Sequence, residues 1–455
     1  MEPAKQSSSG FHAISRRDLL QGAAVATGGL LLQSCAHGAG AATAPLATPR
    51  EQLPGGLEVR GTRFVKDGKP MFISGFNYWA GTTLAREGNQ AGWDQVRRDL
   101  DGLQAAGINM IRTTAATEGP DTEPFRIVPT IQPAMGQFDP AGIAGVLRFA
   151  EELKRRGLYG IFMLNNFWQW SGGFAQYLAW AGQGAIPYPP PHPGGNWDRF
   201  QKFAGSFYKN AAAKAAYDAF IRYLVPQLNK NPVVIWELAN EPRGMTNVPA
   251  YHAWIDDSAR LIKSLAPGQL VTTGSEGQTA SPFYAGMDVV KDHQSKAIDF
   301  VCFHMWAMNW GWVKKETLEG NYPKALERAK KYVADHAVAA GKVGKPILLE
   351  EFGFPRDGGS FDPASPTTLR DKYFQEIYAQ VQSLLATTPM AGIMPWAWAG
   401  DVRPPRPGQF WKPGDPFTGD PPHEEQGWYS VYDKDTTLKL ITEWSPRITG
   451  TAVTS

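Results

Sequence analysis

Val233-Val234-Ile235-Trp236-Glu237-Leu238-Ala239-Asn240-Glu241 opens as a short apolar run and closes on an amide and a carboxylate. A run this brief, rich in β-branched residues, is too short for a helix and suits a strand buried on both faces. One helical pattern precedes it at 211–228 and another follows at 251–265. The same alternation recurs along the chain. Further strand candidates fall at 71–75, 109–113, 160–164, 270–273, 300–303, 346–350 and 392–396, with helical periodicity at 93–106, 143–156, 324–340 and 368–385. Strands alternating with helices in this way are the order of a parallel α/β fold. The count predicts a single (β/α)8 TIM barrel with long loops at its C-terminal face, in preference to an open sheet.

In such a barrel the active site is built where the strands end. Those ends read Asn77-Tyr78-Trp79, Arg112-Thr113, Asn165-Asn166, Asn240-Glu241, Ser275-Glu276, His304-Met305-Trp306, Glu350-Glu351 and Trp396-Ala397-Trp398. Strands four and seven stand on opposite walls, so Glu241 and Glu351 are expected to face each other across the mouth. Two carboxyls about 5 Å apart are what glycoside hydrolysis with retention requires. Alternation along a strand then chooses between Glu350 and Glu351. Ile347, Leu349 and Glu351 share a parity, which points Glu351 inward and Glu350 outward toward a cation. Glu237 shares the parity of Glu241 one step deeper, where Arg112 is the expected partner.

Residues 235–243 and 349–353 resemble the acid/base and nucleophile segments of glycoside hydrolase family 5, over roughly residues 60–445. Within that family the likeness is to the endo-β-1,4-mannanases, through Asn165-Asn166-Phe167-Trp168-Gln169-Trp170-Ser171-Gly172-Gly173, Gly274-Ser275-Glu276-Gly277 and Trp396-Ala397-Trp398. The resemblance implies Glu241 as acid/base and Glu351 as nucleophile. It also implies that Asn240 bonds the sugar 2-hydroxyl, that Arg112 keeps the nucleophile ionised, that His304 contacts the reacting sugar, that Trp396 forms its floor and that Arg243 serves the leaving-group side. Tyr78, Asn166, Trp168 and Trp306 complete the candidate substrate contacts, with Trp168, Trp170 and Trp180 equally readable as sugar platforms or loop core. The family's His-x-Tyr, whose Tyr hydroxyl touches the nucleophile, stands here as His304-Met305-Trp306. An indole donates through one nitrogen and is no substitute for a phenol as an acid. The implied substrate is β-mannan, glucomannan or galactomannan, cut internally. Exo-β-mannosidase, transglycosylase and endo-β-1,4-glucanase are the other activities such a site serves, and a glycan-binding lipoprotein without catalysis is the alternative of a different class.

Bulk composition agrees with an uncharged partner. Lys plus Arg at 45 against Asp plus Glu at 43 leave no basic field for nucleic acid. Sixteen Trp exceed the needs of one core and suit sugar platforms. With no HxH or HExxH pair and no phosphate-binding glycine loop, neither metal nor cofactor is expected. Two Cys, Cys35 and Cys302, argue against a disulfide framework. Residues 1–35 read as a twin-arginine export signal, with Ser15-Arg16-Arg17-Asp18-Leu19-Leu20 followed by Leu32-Gln33-Ser34-Cys35, a lipobox pattern. Residues 36–56 read as a flexible linker and 57–455 as the catalytic domain. The expected location is the periplasm, the outer membrane through a lipid on Cys35, or the medium, and the expected state is a monomer. Pro-rich stretches at 186–195 and 403–422 follow strands three and eight, on the face proposed for the site.

Overall fold

A computed structural model describes residues 53–278 and 285–451. The export signal, the lipobox and most of the linker lie outside the described residues. Eight parallel strands form the barrel: β1 (Ile73–Asn77), β2 (Met110–Thr114), β3 (Tyr159–Met163), β4 (Val234–Glu237), β5 (Val271–Thr272), β6 (Val301–Met305), β7 (Ile347–Phe352) and β8 (Met390–Ile393). Each pairs with the next except β5 with β6, and β8 pairs with β1. At the β5–β6 seam the ladder is replaced by two bonds, Asp299 N–H to the Val271 carbonyl (2.8 Å) and His304 N–H to the Glu276 carbonyl (3.2 Å). Every barrel-strand residue is buried, which explains why the strands read as continuous apolar runs.

Helices follow the strands in turn: α1 (Gln90–Ala105), α2 (Pro140–Arg156), α3 (Ala211–Leu228), α4 (Val248–Leu265), the single turn α5 (Val289–Asp292), α6 (Leu318–Val343), α7 (Thr368–Leu385) and α8 (Thr436–Thr449). Their amphipathic spacing packs them on the strands. In α2, Ile143, Val146, Phe149, Ala150 and Leu153 are buried while Lys154, Arg155 and Arg156 close the last turn. Each of the larger side chains, Ile143, Val146, Phe149 and Leu153, contributes about 1.5–3 kcal/mol on burial. Asp139 caps the helix through the Gly142 N–H, and Gly157 ends it in the left-handed region at φ 71. A three-stranded antiparallel sheet over residues 58–71 sets Phe64 edge-on to Phe300, the residue before β6, at 5.2 Å, on the side of the barrel opposite the strand ends.

The expected strands and helices are all present, with shifted ends; β8 starts at Met390 and stops at Ile393 rather than running over 392–396. One expectation about side-chain direction fails. Leu349 stands opposite Phe303 and Glu351 opposite His304, so Glu350 is an extra residue in β7, a bulge. Alternation breaks there, and Glu350 enters the barrel interior instead of pointing outward. It is fully buried, 3.6 Å from His304 Nε2 and 3.9 Å from Arg112 Nε.

Candidate active site

Arg112, near the end of β2, organises the barrel mouth from below. A guanidinium carries five N–H groups, and each has a partner here. Nε and Nη2 hold the two oxygens of Glu237 at 2.7 and 2.6 Å, and Nη2 also donates to Asn240 Oδ1 at 2.8 Å. Nη1 donates to Asn77 Oδ1 at 3.1 Å and is in close contact with Glu351 Oε1. Glu237 is therefore the buried counter-ion the strand parity called for. Asn240 in turn donates through Nδ2 to Asn166 Oδ1 at 3.1 Å, which leaves its second amide N–H for the cleft.

Glu241 comes from β4 on the opposite wall. Its backbone adopts φ 50, a left-handed conformation that costs a residue with a side chain roughly 1–2 kcal/mol. Gly274 at φ 78 makes room for it: a Cβ there would strike the Ala239 carbonyl and the Glu237 carboxylate. Three side chains hold the Glu241 carboxyl. Trp168 Nε1 donates to Oε2 at 2.5 Å, Trp306 Nε1 to Oε1 at 3.3 Å, and His304 Nδ1 lies 2.7 Å from Oε1. His304 Nδ1 also lies 3.3 Å from Glu351 Oε2. One carboxylate oxygen from each glutamate and one ring nitrogen of His304 fall within 4.8 Å of one another. Those three groups are also donor types that a divalent cation accepts. Positive charge is already supplied there by Arg112 on Glu351 and by Arg243, which lies 4.8 Å above the Trp168 ring.

A cleft of about 550 Å³ opens above the two glutamates. Asn240, Trp168, Arg243, Trp306 and Trp396 line it with Glu241 and Glu351, as expected of substrate contacts. Trp396 stands edge-on to Trp306 at 6.1 Å, and its indole N–H has no hydrogen-bond partner. Arg243 is fixed in place by both oxygens of Glu276 at 2.6 and 2.8 Å and by Gln201 at 2.7 Å.

Several expected substrate contacts lie elsewhere. Tyr78 points away from the cleft and donates to Asp99 Oδ2 of α1 at 2.6 Å, because Asn77 holds the inward parity on β1. Asn166 lies behind Asn240, where it also accepts from the Trp168 N–H at 3.0 Å. His304 and Arg112 are fully buried beneath the two glutamates and do not line the cleft. Trp306 donates to Glu241 rather than to Glu351. Asn77 and Glu276 are marked in the sequence only as polar strand ends, without a role, and Gln201 carries no signal there. Also missed are the cleft residues Trp197, Asn309 and Glu424, contributed by the loops after β3, β6 and β8. Parity on β1 would have singled out Asn77; the loop residues carry no comparable signal.

Burial dominates the electrostatics. It raises the Glu241 carboxyl, against the pull of Arg243 and the Trp168 bond. Burial also pushes Glu351 well above the usual carboxylate range, with Arg112 pulling it back and Glu241 pushing it further up. Glu276 is raised by burial against Arg243. His304 is pushed down to about 4 by burial, so its ring is neutral near pH 7.

The profile of a family described as "GH family 5 beta-mannosidase-like" matches residues 56–452. Mannan endo-1,4-beta-mannosidase A of Podospora anserina is 27% identical over 384 residues, covering 81% of this chain and 89% of that one. The crystal structure of a glycoside hydrolase family 5 mannosidase from Rhizomucor miehei is 30% identical, with a TM-score of 0.77 over 87% of this chain and 98% of that one. A variant of the same fungal enzyme, with a glutamate replaced by alanine, has been solved in complex with mannosyl-fructose. It too is 30% identical, at a TM-score of 0.77 over 87% of this chain and 97% of that chain.

Proposed function

The chain belongs to the β-mannosidase-like glycoside hydrolase family 5, and on that premise we propose that it hydrolyses β-1,4-mannosidic bonds of mannans with retention of configuration. Glu351 is the nucleophile and Glu241 the acid, then the base. One observation carries this reading: beyond the end of β4 and on β7, an oxygen of the Glu241 carboxyl and one of Glu351 lie within 4.8 Å of each other, compatible with the separation of about 5 Å that double displacement requires.

The two carboxyls stand too close to be both charged, so one of them keeps its proton. Contact with the permanent cation of Arg112 favours the charge on Glu351. Glu241 has two indole N–H groups and a neutral imidazole at its oxygens, and the nearby Arg243 is already paired with Glu276, so the proton rests on Glu241. The Glu351 carboxylate attacks the anomeric carbon while the bond to the leaving oxygen breaks and Glu241 gives that oxygen its proton. Water then attacks the same carbon, Glu241 takes its proton, and Glu351 is released. The free amide N–H of Asn240 is placed for the sugar 2-hydroxyl, a bond that strengthens as positive charge develops at the anomeric carbon. Arg243 and Gln201 lie beside the acid, on the leaving-group side.

Internal cleavage is the leading mode, since the curated relatives are named as endo-acting. Removal of terminal mannose is a second reading, favoured by the loop after β8. Its Phe410 packs edge-on against Phe125 at 5.6 Å, and Phe410 and Trp428 of this loop both line the cleft, which favours a shorter binding site. Time-resolved products from mannohexaose and linear mannan separate the two. Mannose alone from the first turnovers means exo action, a spread of oligomers means endo action, and proton NMR showing an α-anomer released first overturns the retaining scheme.

A further inference from the structure

Glu350 is a fully buried carboxyl that the double displacement leaves without a task. Neither of its oxygens has a hydrogen bond of ordinary length. A carboxylate removed from water without a donor is costly, so the nearest donors decide its state. Two are in reach, Arg112 Nε at 3.9 Å and His304 Nε2 at 3.6 Å. The five N–H groups of Arg112 are already committed to Glu237, Asn240, Asn77 and Glu351. His304 Nε2 has no other partner.

We propose that Glu350 is a positioning residue that holds His304 as the tautomer protonated on Nε2, so that the Nδ1 lone pair faces Glu241 and strengthens that carboxyl's hold on its proton. The proposal rests on the reading of Glu241 as acid/base and deepens it. A neutral imidazole carries one ring proton, and its location decides what the other nitrogen offers. Nδ1 lies 2.7 Å from Glu241 Oε1. As a lone pair it accepts a hydrogen bond from the Glu241 O–H before the sugar arrives, the proton staying on Glu241, and disfavours an ionised Glu241, which makes Glu241 the stronger base toward water in the second step. The opposite tautomer would donate to Glu241, stabilise its carboxylate and unload the acid. The ionisable groups facing His304 are Glu350, Glu241, Glu351, Arg112 and Glu276. The bulge in β7 is what brings Glu350 to the back of the ring.

The test uses the full chain with ¹⁵N-labelled histidine, in the wild type, Glu350→Met and Glu350→Gln. Ring-nitrogen NMR is expected to show the Nε2–H tautomer of His304 in the wild type and in Glu350→Gln, whose amide oxygen still accepts, and the Nδ1–H tautomer in Glu350→Met. In Glu350→Met the alkaline limb of kcat/KM on mannotetraose should fall by about one pH unit, roughly tenfold in rate on that limb. On 2,4-dinitrophenyl β-mannoside, whose leaving group needs no acid, kcat/KM should stay within about twofold. An Nδ1–H tautomer in the wild type overturns the proposal outright, whether or not the variants fold. So does equal loss of Glu350→Met on both substrates. Glu241→Ala must show the same dependence on leaving group. If it does not, the acid/base reading fails; if it does while Glu350→Met shows none, only the tautomer proposal fails.

Discussion

Replacing Arg112 with Met should destabilise the fold by about 3–5 kcal/mol above neutral pH, the cost of stripping the partner from a buried ion pair. The residue is fully buried, and its guanidinium bonds both oxygens of Glu237 and one of Glu351. Met leaves both carboxyls without that cation. Lost packing also contributes, but packing does not titrate, so pH separates the two effects. Both carboxyls are already raised by burial, and Arg112 is what lowers them. Without it their folded-state pKa values rise further above the unfolded ones. A raised carboxyl stabilises the fold below its unfolded pKa and loses that contribution as pH climbs through the folded value. The deficit of Arg112→Met should therefore be largest near pH 8 and shrink toward pH 5. Urea unfolding of wild type and variant across that range measures it, and a deficit that does not change with pH would falsify the assignment of Arg112 as the charge partner. Arg112→Lys keeps a cation but not the fork. It should recover part of the stability and little of the turnover, because Asn240 and Asn77 lose their fixed donors.

Glu351→Ala and Glu241→Ala should each lower turnover on mannan by several orders of magnitude, about 4–7 kcal/mol in barrier; near wild-type hydrolysis by either purified variant sinks its assignment. Trp168→Phe removes a donor that favours ionised Glu241. The Glu241 pKa should rise and carry the alkaline limb of the kcat/KM profile upward, whereas a downward shift would contradict the geometry. Gly274→Ala should cost activity more than folding, since the added carbon meets the Ala239 carbonyl and Glu237 carboxylate that seat Glu241; unchanged kcat would show that the seat is not tight. Cys35→Ala should abolish incorporation of labelled palmitate into the exported protein, and retained label would discount the lipobox.

The barrel was legible because a strand buried on both faces must be apolar throughout, and a helix on its flank must alternate every three to four residues. Both patterns are local. Glu241 and Glu351 were legible for a related reason: polar groups at the ends of such runs have no place in a core. Glu350 was not, because alternation is a property of regular strands, and the extra residue in β7 leaves no trace in the side-chain pattern. Tyr78 was a different kind of miss. Ile73, Gly75 and Asn77 share a parity that already turned Tyr78 toward α1, where it meets Asp99. Trp306, after β6, finds Glu241, after β4, a contact between strand ends that no one-dimensional reading measures.

Charge balance ties these residues into one device. Five carboxyls, Glu237, Glu241, Glu276, Glu350 and Glu351, are buried around two guanidinium groups, Arg112 and Arg243. His304 adds no charge near neutral pH, since burial holds its pKa near 4. An interior with more acids than cations relieves itself by retaining protons. Glu237 and Glu276 each bond both oxygens to a guanidinium, which leaves the facing pair, Glu241 and Glu351, as the place for a retained proton. Glu351 has Arg112 against it, so a proton shared by the pair is expected on the Glu241 side, where the proposed acid needs it. On this view a protonated acid at neutral pH is a consequence of how many carboxyls the strand ends bury. Adding a cation to the interior would discharge the acid even if Glu241 itself were untouched.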